Sequence, residues 1–160
     1  MIAQASGNLE QQIVTAALLS EELLETGDDD AAYDSFAKAM QLADRNGLPF
    51  YSARLLSDRA AYFFDKGDFV QSDNFNLPAG TLAQSANMPW TYARCAIRDA
   101  KLSLRMHFPG VALGGAADAE ERLRQFPNAA LSAELAQLAE QARHTPARPE
   151  DSIVHPAPAK

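Results

Sequence analysis

Residues 42–54 read LADRNGLPFYSAR and residues 82–94 read LAQSANMPWTYAR. Leu42-Ala43 recurs as Leu82-Ala83, Leu48-Pro49-Phe50 as Met88-Pro89-Trp90, and Ala53-Arg54 as Ala93-Arg94, each 40 positions on. Moving outward, Gly27-Asp28 recurs as Gly67-Asp68 in the same register, and Ser20 stands as far from Gly27 as Ala60 from Gly67. A register held at this many places marks stacked supersecondary units, none of which buries its apolar face alone.

The units read as helical. From Leu9 to Thr26, residues Leu9, Ile13, Ala16, Leu19, Ser20, Leu23 and Leu24 share one side at helical spacing, and Gly27 closes the helix. Asp28-Asp29-Asp30 then supplies an N-cap and the negative charge that a helix start favours. The next helix turns Ala32, Tyr33, Phe36, Ala39, Met40 and Ala43 inward and ends at Asn46-Gly47. Pro49 pre-sets a third helix to Lys66-Gly67, with Leu55, Leu56, Ala60, Phe63 and Phe64 inward, and Pro89 opens a fifth, running to about His107. No stretch alternates with period two, so the expected class is all-α: an α-α superhelix of three helix pairs plus a C-terminal capping helix, seven helices in all.

Two places break the pattern. Pro78, in Leu77-Pro78-Ala79-Gly80, falls inside the fourth helix, which is expected to kink or split near Asn76. HFPGVALGG, residues 107–115, reads as a glycine-bearing loop, followed by a short helix from Ala116 to Phe126 and a last one from Asn128 to about Arg143. Domain organisation follows: a frayed start at 1–8, a repeat domain at 9–144, and a Pro/Ala-rich tail at 145–160 expected to be disordered.

Composition limits the function. The 160 residues carry 14 Lys and Arg against 21 Asp and Glu, a net charge of −7, which disfavours a nucleic-acid partner. A hydrophobic content of 47% fits a folded core, and a single cysteine excludes an internal disulfide. No basic start leads into an apolar run, and no apolar stretch approaches the roughly 20 residues of a membrane span. The expectation is a cytoplasmic protein that contacts no membrane.

The repeated positions resemble the tetratricopeptide repeat. In unit one, Leu19-Ser20 and Leu23, the Gly27-Asp28 turn, and Ala32, Phe36 and Ala39 match that family's pattern. Unit two matches at Ala60, Phe63, Gly67-Asp68-Phe69, Ala79 and Leu82, with Asn76 in place of a large apolar residue. Unit three keeps Ala100, then shows a displaced version at Ala119, Leu123 and Phe126. The 40-residue unit is longer than the family's usual 34. It is similar to long-unit members found in bacterial regulatory proteins. The resemblance implies a concave groove on successive first helices that takes a peptide or protein segment. Its matching positions are Val14, Ala17, Glu21, Leu24 and Glu25, then Arg54, Ser57, Ala61, Phe64 and Asp65, then Arg94, Ile97, Lys101, Leu104 and Arg105.

Charge runs along that groove. Residues 1–47 sum to −7, 48–87 to −1 and 88–114 to +3. Arg94, Arg98, Lys101 and Arg105 fall at spacings of 4, 3 and 4, which places four cations along one helix face. Such a stripe reads as a solvated face, as a receptor for an acidic segment, or as a self-association surface giving a homo-oligomer. Arg98→Glu is expected to leave the melting temperature nearly unchanged while weakening partner binding. The expected partner site is Arg54, Ser57, Phe64, Arg94, Arg98, Lys101 and Arg105.

Catalytic chemistry finds little footing. His107, His144 and His155 share no metal-ligand spacing, and Cys95 has no accompanying His-Asp set. HFPGVALGG lacks the strand before it and the Lys-Ser/Thr after it that a phosphate loop needs. Tyr51, Tyr62 and Trp90 read as packing residues or as binding anchors. The leading expectation is a non-enzymatic interaction scaffold, adaptor or regulatory, without cofactor or metal. The alternative is a ligand-responsive sensor in which the Pro78 kink and the 107–115 loop close over a small molecule or short peptide.

Overall fold

Each of the first five connections ends one helix with a left-handed residue and places the N-cap of the next helix one residue later. Gly27, Gly47, Gly67, Asn87 and His107 have φ of 81, 62, 80, 53 and 62°, and they stand 20 positions apart. After each, the amide of the next residue donates to a carbonyl five positions back: Asp28 to Leu23, Leu48 to Ala43, Asp68 to Phe63, Met88 to Ala83 and Phe108 to Ser103, all at 2.8–2.9 Å. That bond, with the shorter one from the left-handed residue itself, satisfies carbonyls a helix end leaves orphaned. The residue that closes one helix in this way is also the N-cap of the next. Asp28 and Asp68 accept from Ala31 and Gln71 amides. Leu48, Met88 and Phe108 instead precede prolines at the first helical turn, where a missing N–H costs nothing.

The computed structural model describes residues 2–147. Among them are seven helices: α1 Ile2–Thr26, α2 Asp29–Arg45, α3 Pro49–Lys66, α4 Phe69–Ser85, α5 Pro89–Arg105, α6 Pro109–Gln125 and α7 Ala129–His144. α1 therefore starts ahead of the expected Leu9. Residues 148–160, most of the expected tail, lie outside the described residues. None of the seven helices is long and apolar enough to cross a membrane.

Consecutive helices pack pairwise, and α3 with α5 and α5 with α7 also touch across the stack. No comparable packing joins α2 to α4 or α4 to α6. α3, α5 and α7 therefore form the tighter, inner row of an all-α superhelix, which side chains of Arg59 and Lys66 extend to α1, and the even-numbered helices form the outer row. Small residues at the crossings set this spacing. Ala39, Ala79 and Ala119 are fully buried at equivalent points of α2, α4 and α6, and Ser20, Ala60 and Ala100 are buried on α1, α3 and α5. Without bulky side chains between them, axes approach toward the lower end of the usual 8–10 Å. At one such crossing Ser20 Oγ donates to the Ala32 carbonyl at 2.7 Å. Forty residues on, the roles exchange and Ser72 Oγ donates to the Ala60 carbonyl at 2.9 Å.

Several expectations are corrected here. α4 is one helix through Pro78, so the expected split does not occur. The proline is exposed and forfeits one backbone bond there, while buried Ser72, Asn76, Ala79 and Ala83 hold the helix against its neighbours. The 107–115 segment is not a loop, because Phe108-Pro109 starts α6 as Leu48-Pro49 starts α3. Gly110, Gly114 and Gly115 then lie inside α6, and Ala112, Ala116, Ala119 and Leu123 face the core. The third pair is thus in register and not displaced. Leu19 and Tyr33, expected inward, are 47% and 65% exposed.

Candidate interaction face

The inner row brings together much of what the spacing placed on it. Ala61, Phe64 and Asp65 of α3, Arg94, Ile97, Arg98 and Lys101 of α5, and Glu134 of α7 line a cleft of about 180 Å³. Lys101 Nζ donates to Glu134 Oε1 at 2.7 Å, joining α5 to α7. The Arg105 guanidinium lies 4.4 Å from the Phe69 ring centroid and 5.6 Å from that of Phe64, and Lys101 Nζ sits 5.9 Å from Phe64. These aromatic faces hold the cations by their ring quadrupoles without neutralising them. Arg94 and Arg105 are exposed and have no acidic partner among the described residues. Arg54 is also exposed and forms an ion pair with Asp58 at 3.5 Å.

Two members of the expected site turn inward. Arg98 is 9% exposed and Ser57 3%. Arg98 Nε donates to Asn76 Oδ1 at 2.7 Å and its Nη2 to Ser57 Oγ at 2.6 Å. Asn76 Nδ2 in turn donates to the Cys95 carbonyl at 3.0 Å and to the Asp99 carboxylate. The guanidinium is therefore a tie between α3, α4 and α5, and the expected four-cation surface stripe contains three surface cations. Asp99 as a residue is exposed, yet desolvation about its carboxyl, with the charge of Asp73, pushes that group above its ordinary range, against the hydrogen bond from Asn76 and the charge of Arg98. Cys95 lies 3.9 Å from Ser57 Oγ and 3.6 Å from Arg98 Nη2, and burial raises its thiol pKa despite that cation. It is an interior thiol, poorly placed to be a nucleophile.

Sequence reasoning missed a second such arginine. Arg59 is 5% exposed, and its Nη1 donates to Ser20 Oγ at 2.7 Å, tying α3 to α1 as Arg98 ties α5 to α3. The Phe36, Phe63 and Phe75 rings surround it at 5.0, 5.4 and 5.9 Å. Burial lowers its pKa from the usual arginine value. Its signal in the sequence was a lone arginine beside Ala60, within a run otherwise expected to face the core.

Of the aromatic candidates, Trp90 is 52% exposed and Tyr51 and Tyr62 are half-buried. Trp90 Nε1 donates to the Phe126 carbonyl at 3.0 Å, and Tyr92 bonds Asp118 beneath the Arg122 guanidinium, which lies 4.2 Å from the Tyr92 ring centroid. Both close α5 onto α6. Along the inner row the sign of charge changes. Glu21 and Glu25 of α1, with Asp58 and Asp65 of α3, give way to Arg94, Lys101 and Arg105 of α5. Lys66 Nζ pairs with Glu25 at 2.9 Å where α3 and α1 end side by side.

Comparison with protein-family models, with curated proteins and with solved structures gives no match.

Proposed function

We propose that this chain is a non-enzymatic protein-interaction module of the tetratricopeptide-like kind, adaptor or regulatory in role, whose inner face takes an extended acidic and apolar segment of a partner. The observation that carries the reading is a pair of exposed cations without acidic partners among the described residues, Arg94 in the cleft with Ile97 and Phe64 and Arg105 three turns on with its guanidinium 5.6 Å from the Phe64 centroid. Guanidinium forks receive carboxylates bidentately, and the apolar floor rewards an aliphatic side chain placed beside them. The face is built on helices locked by buried ties, so binding costs little ordering on this side. Buried Ser20, Ala60 and Ala100, with Ala32, Phe36 and Ala39, support the family resemblance. The sensor alternative has lost the 107–115 loop on which part of it was built, because that segment belongs to α6.

Fluorescence anisotropy tests the proposal with a labelled peptide carrying two adjacent carboxylates followed by two branched aliphatic residues. Binding is expected to weaken about tenfold or more in Arg94→Glu/Arg105→Glu, to fall with added salt, and to survive Lys38→Glu on the outer α2. Equal binding by the double variant and the unaltered chain overturns the reading.

A further inference from the structure

We infer that residues 148–160 of this same chain occupy the inner groove in the absence of a partner, Glu150 and Asp151 lying on the α5 cations and Ile153-Val154 over Phe64. The inference rests on the groove reading for its site and departs from it in the occupant. Four observations lead there.

The first is where the described chain ends. Thr145, with His144, Gln141, Glu140 and Gln137 of α7, borders an open hollow whose other wall is Leu104 of α5. Leu104 is one turn from Lys101 and next to Arg105, and Glu134, one turn before Gln137, already belongs to the cleft. The backbone therefore leaves α7 on the inner side of the stack, along the same α5–α7 seam.

The second is reach. From α7 the inner row runs α5, α3, α1, three helix spacings of about 8–10 Å each, or roughly 30 Å. Thirteen residues, 148–160, span about 40 Å at the roughly 3.1 Å per residue of an extended proline-rich segment.

The third is the order of charges. Leaving Ala147, the sequence RPEDSIVHPAPAK presents, after Arg148, two acids within four residues, about one helix spacing away, where Arg105 stands beside the Lys101–Glu134 pair. An aliphatic pair follows, matching Phe64 and Ile97, and Lys160 comes last, matching Glu21, Glu25 and Asp65 at the acidic end. The groove's sign change and the segment's sign change run in opposite senses, as complementarity requires.

The fourth is concentration. A short tether holds the segment near the groove at an effective concentration on the order of millimolar, so contacts too weak to hold a free peptide suffice. An external acidic segment then binds by displacing residues 148–160, and its apparent affinity falls by the fraction of groove left open.

Paramagnetic relaxation tests this on the full chain. A nitroxide is attached at Ser152→Cys, Cys95 being buried and out of reach of the reagent. Amide intensities are then compared with those of the same labelled chain carrying Glu150→Lys and Asp151→Lys, which leave the sequence of the seven helices unaltered. The expected result is an intensity loss at Ala61, Phe64 and Leu24 deeper by at least about twofold in the unaltered tail than in the charge-reversed one. The same release is expected from Arg94→Glu/Arg105→Glu in a chain with unchanged spectral dispersion. Equal losses with and without the reversal overturn the inference. So do losses seen only when spin label and isotope sit on different chains, which would assign the groove to a second copy. A positive result with no external peptide bound leaves the groove serving this chain alone. A negative one with peptide binding intact removes only the inferred occupant.

Discussion

Arg98 and Arg59 are buried cations with hydroxyl, amide and ring partners instead of carboxylates, and each spans from one inner helix to the one before it. Taking a guanidinium out of water is costly unless its donors are used, so these side chains tie the row together only while Ser57, Asn76 and Ser20 remain in place. The expectation that Arg98→Glu is thermally silent is accordingly reversed: the variant puts a carboxylate among Asn76, Ser57 and Asp99. It should lose at least about 3 kcal/mol in denaturant unfolding; a loss under about 1 kcal/mol would show that the tie is unimportant. Asp99 makes a second prediction. Its carboxyl is held above its usual pKa by local desolvation and the charge of Asp73, so the folded state binds its proton more tightly than the unfolded one. Stability from this group is present below the ordinary carboxyl pKa and is lost as pH rises through the raised folded value. Asp99→Asn should therefore melt higher than the unaltered chain at pH 7, by a margin that shrinks as the pH approaches 3. A margin independent of pH would contradict the assignment.

Helix α4 carries Pro78 in its interior and α6 carries three glycines, yet both are continuous, because tertiary packing of alanine-lined faces outweighs local propensity. The local penalties still stand. Pro78→Ala should restore a backbone bond and stabilise by about 1–3 kcal/mol. Gly114→Ala, where an added Cβ meets nothing within 4 Å, should add about 0.5–1 kcal/mol. Destabilisation by either, measured in urea, would mean that the helix is strained or broken there. The turns make the converse point. At His107, φ is 62° where Gly67 has 80°, and His107→Gly should gain roughly 0.5–1 kcal/mol while Gly67→Ala loses about 1. The 40-residue register was legible because Gly, Asp and Pro are needed at particular turn positions. The finer 20-residue spacing was hidden where Asn87 and His107 take the left-handed place of glycine. Pro78 and HFPGVALGG misled for the opposite reason: their local chemistry opposes helix, and only neighbours distant in sequence decide the outcome.

At the scale of the molecule, two rows of helices with a tighter inner row leave an open face whose charge changes sign along its length. Cation spacing along α5 placed Arg94, Lys101 and Arg105 toward the surface, and the structure has Arg94 and Arg105 exposed and Lys101 half-buried. It could not reveal that Arg98 turns inward, since Ser57 and Asn76 reach it from two other helices and no periodicity within α5 records them. Glu134, which completes the cleft from α7, was missed for the same reason. The most direct test of the open face is residue-by-residue amide shift mapping as an acidic-aliphatic peptide is added to the isotope-labelled chain. The account predicts the largest changes at Ala61, Phe64, Arg94, Ile97, Lys101, Arg105 and Glu134, with α2 and the outer side of α4 and α6 unmoved. Changes centred on the outer row, or saturable binding that leaves those seven amides in place, would contradict it.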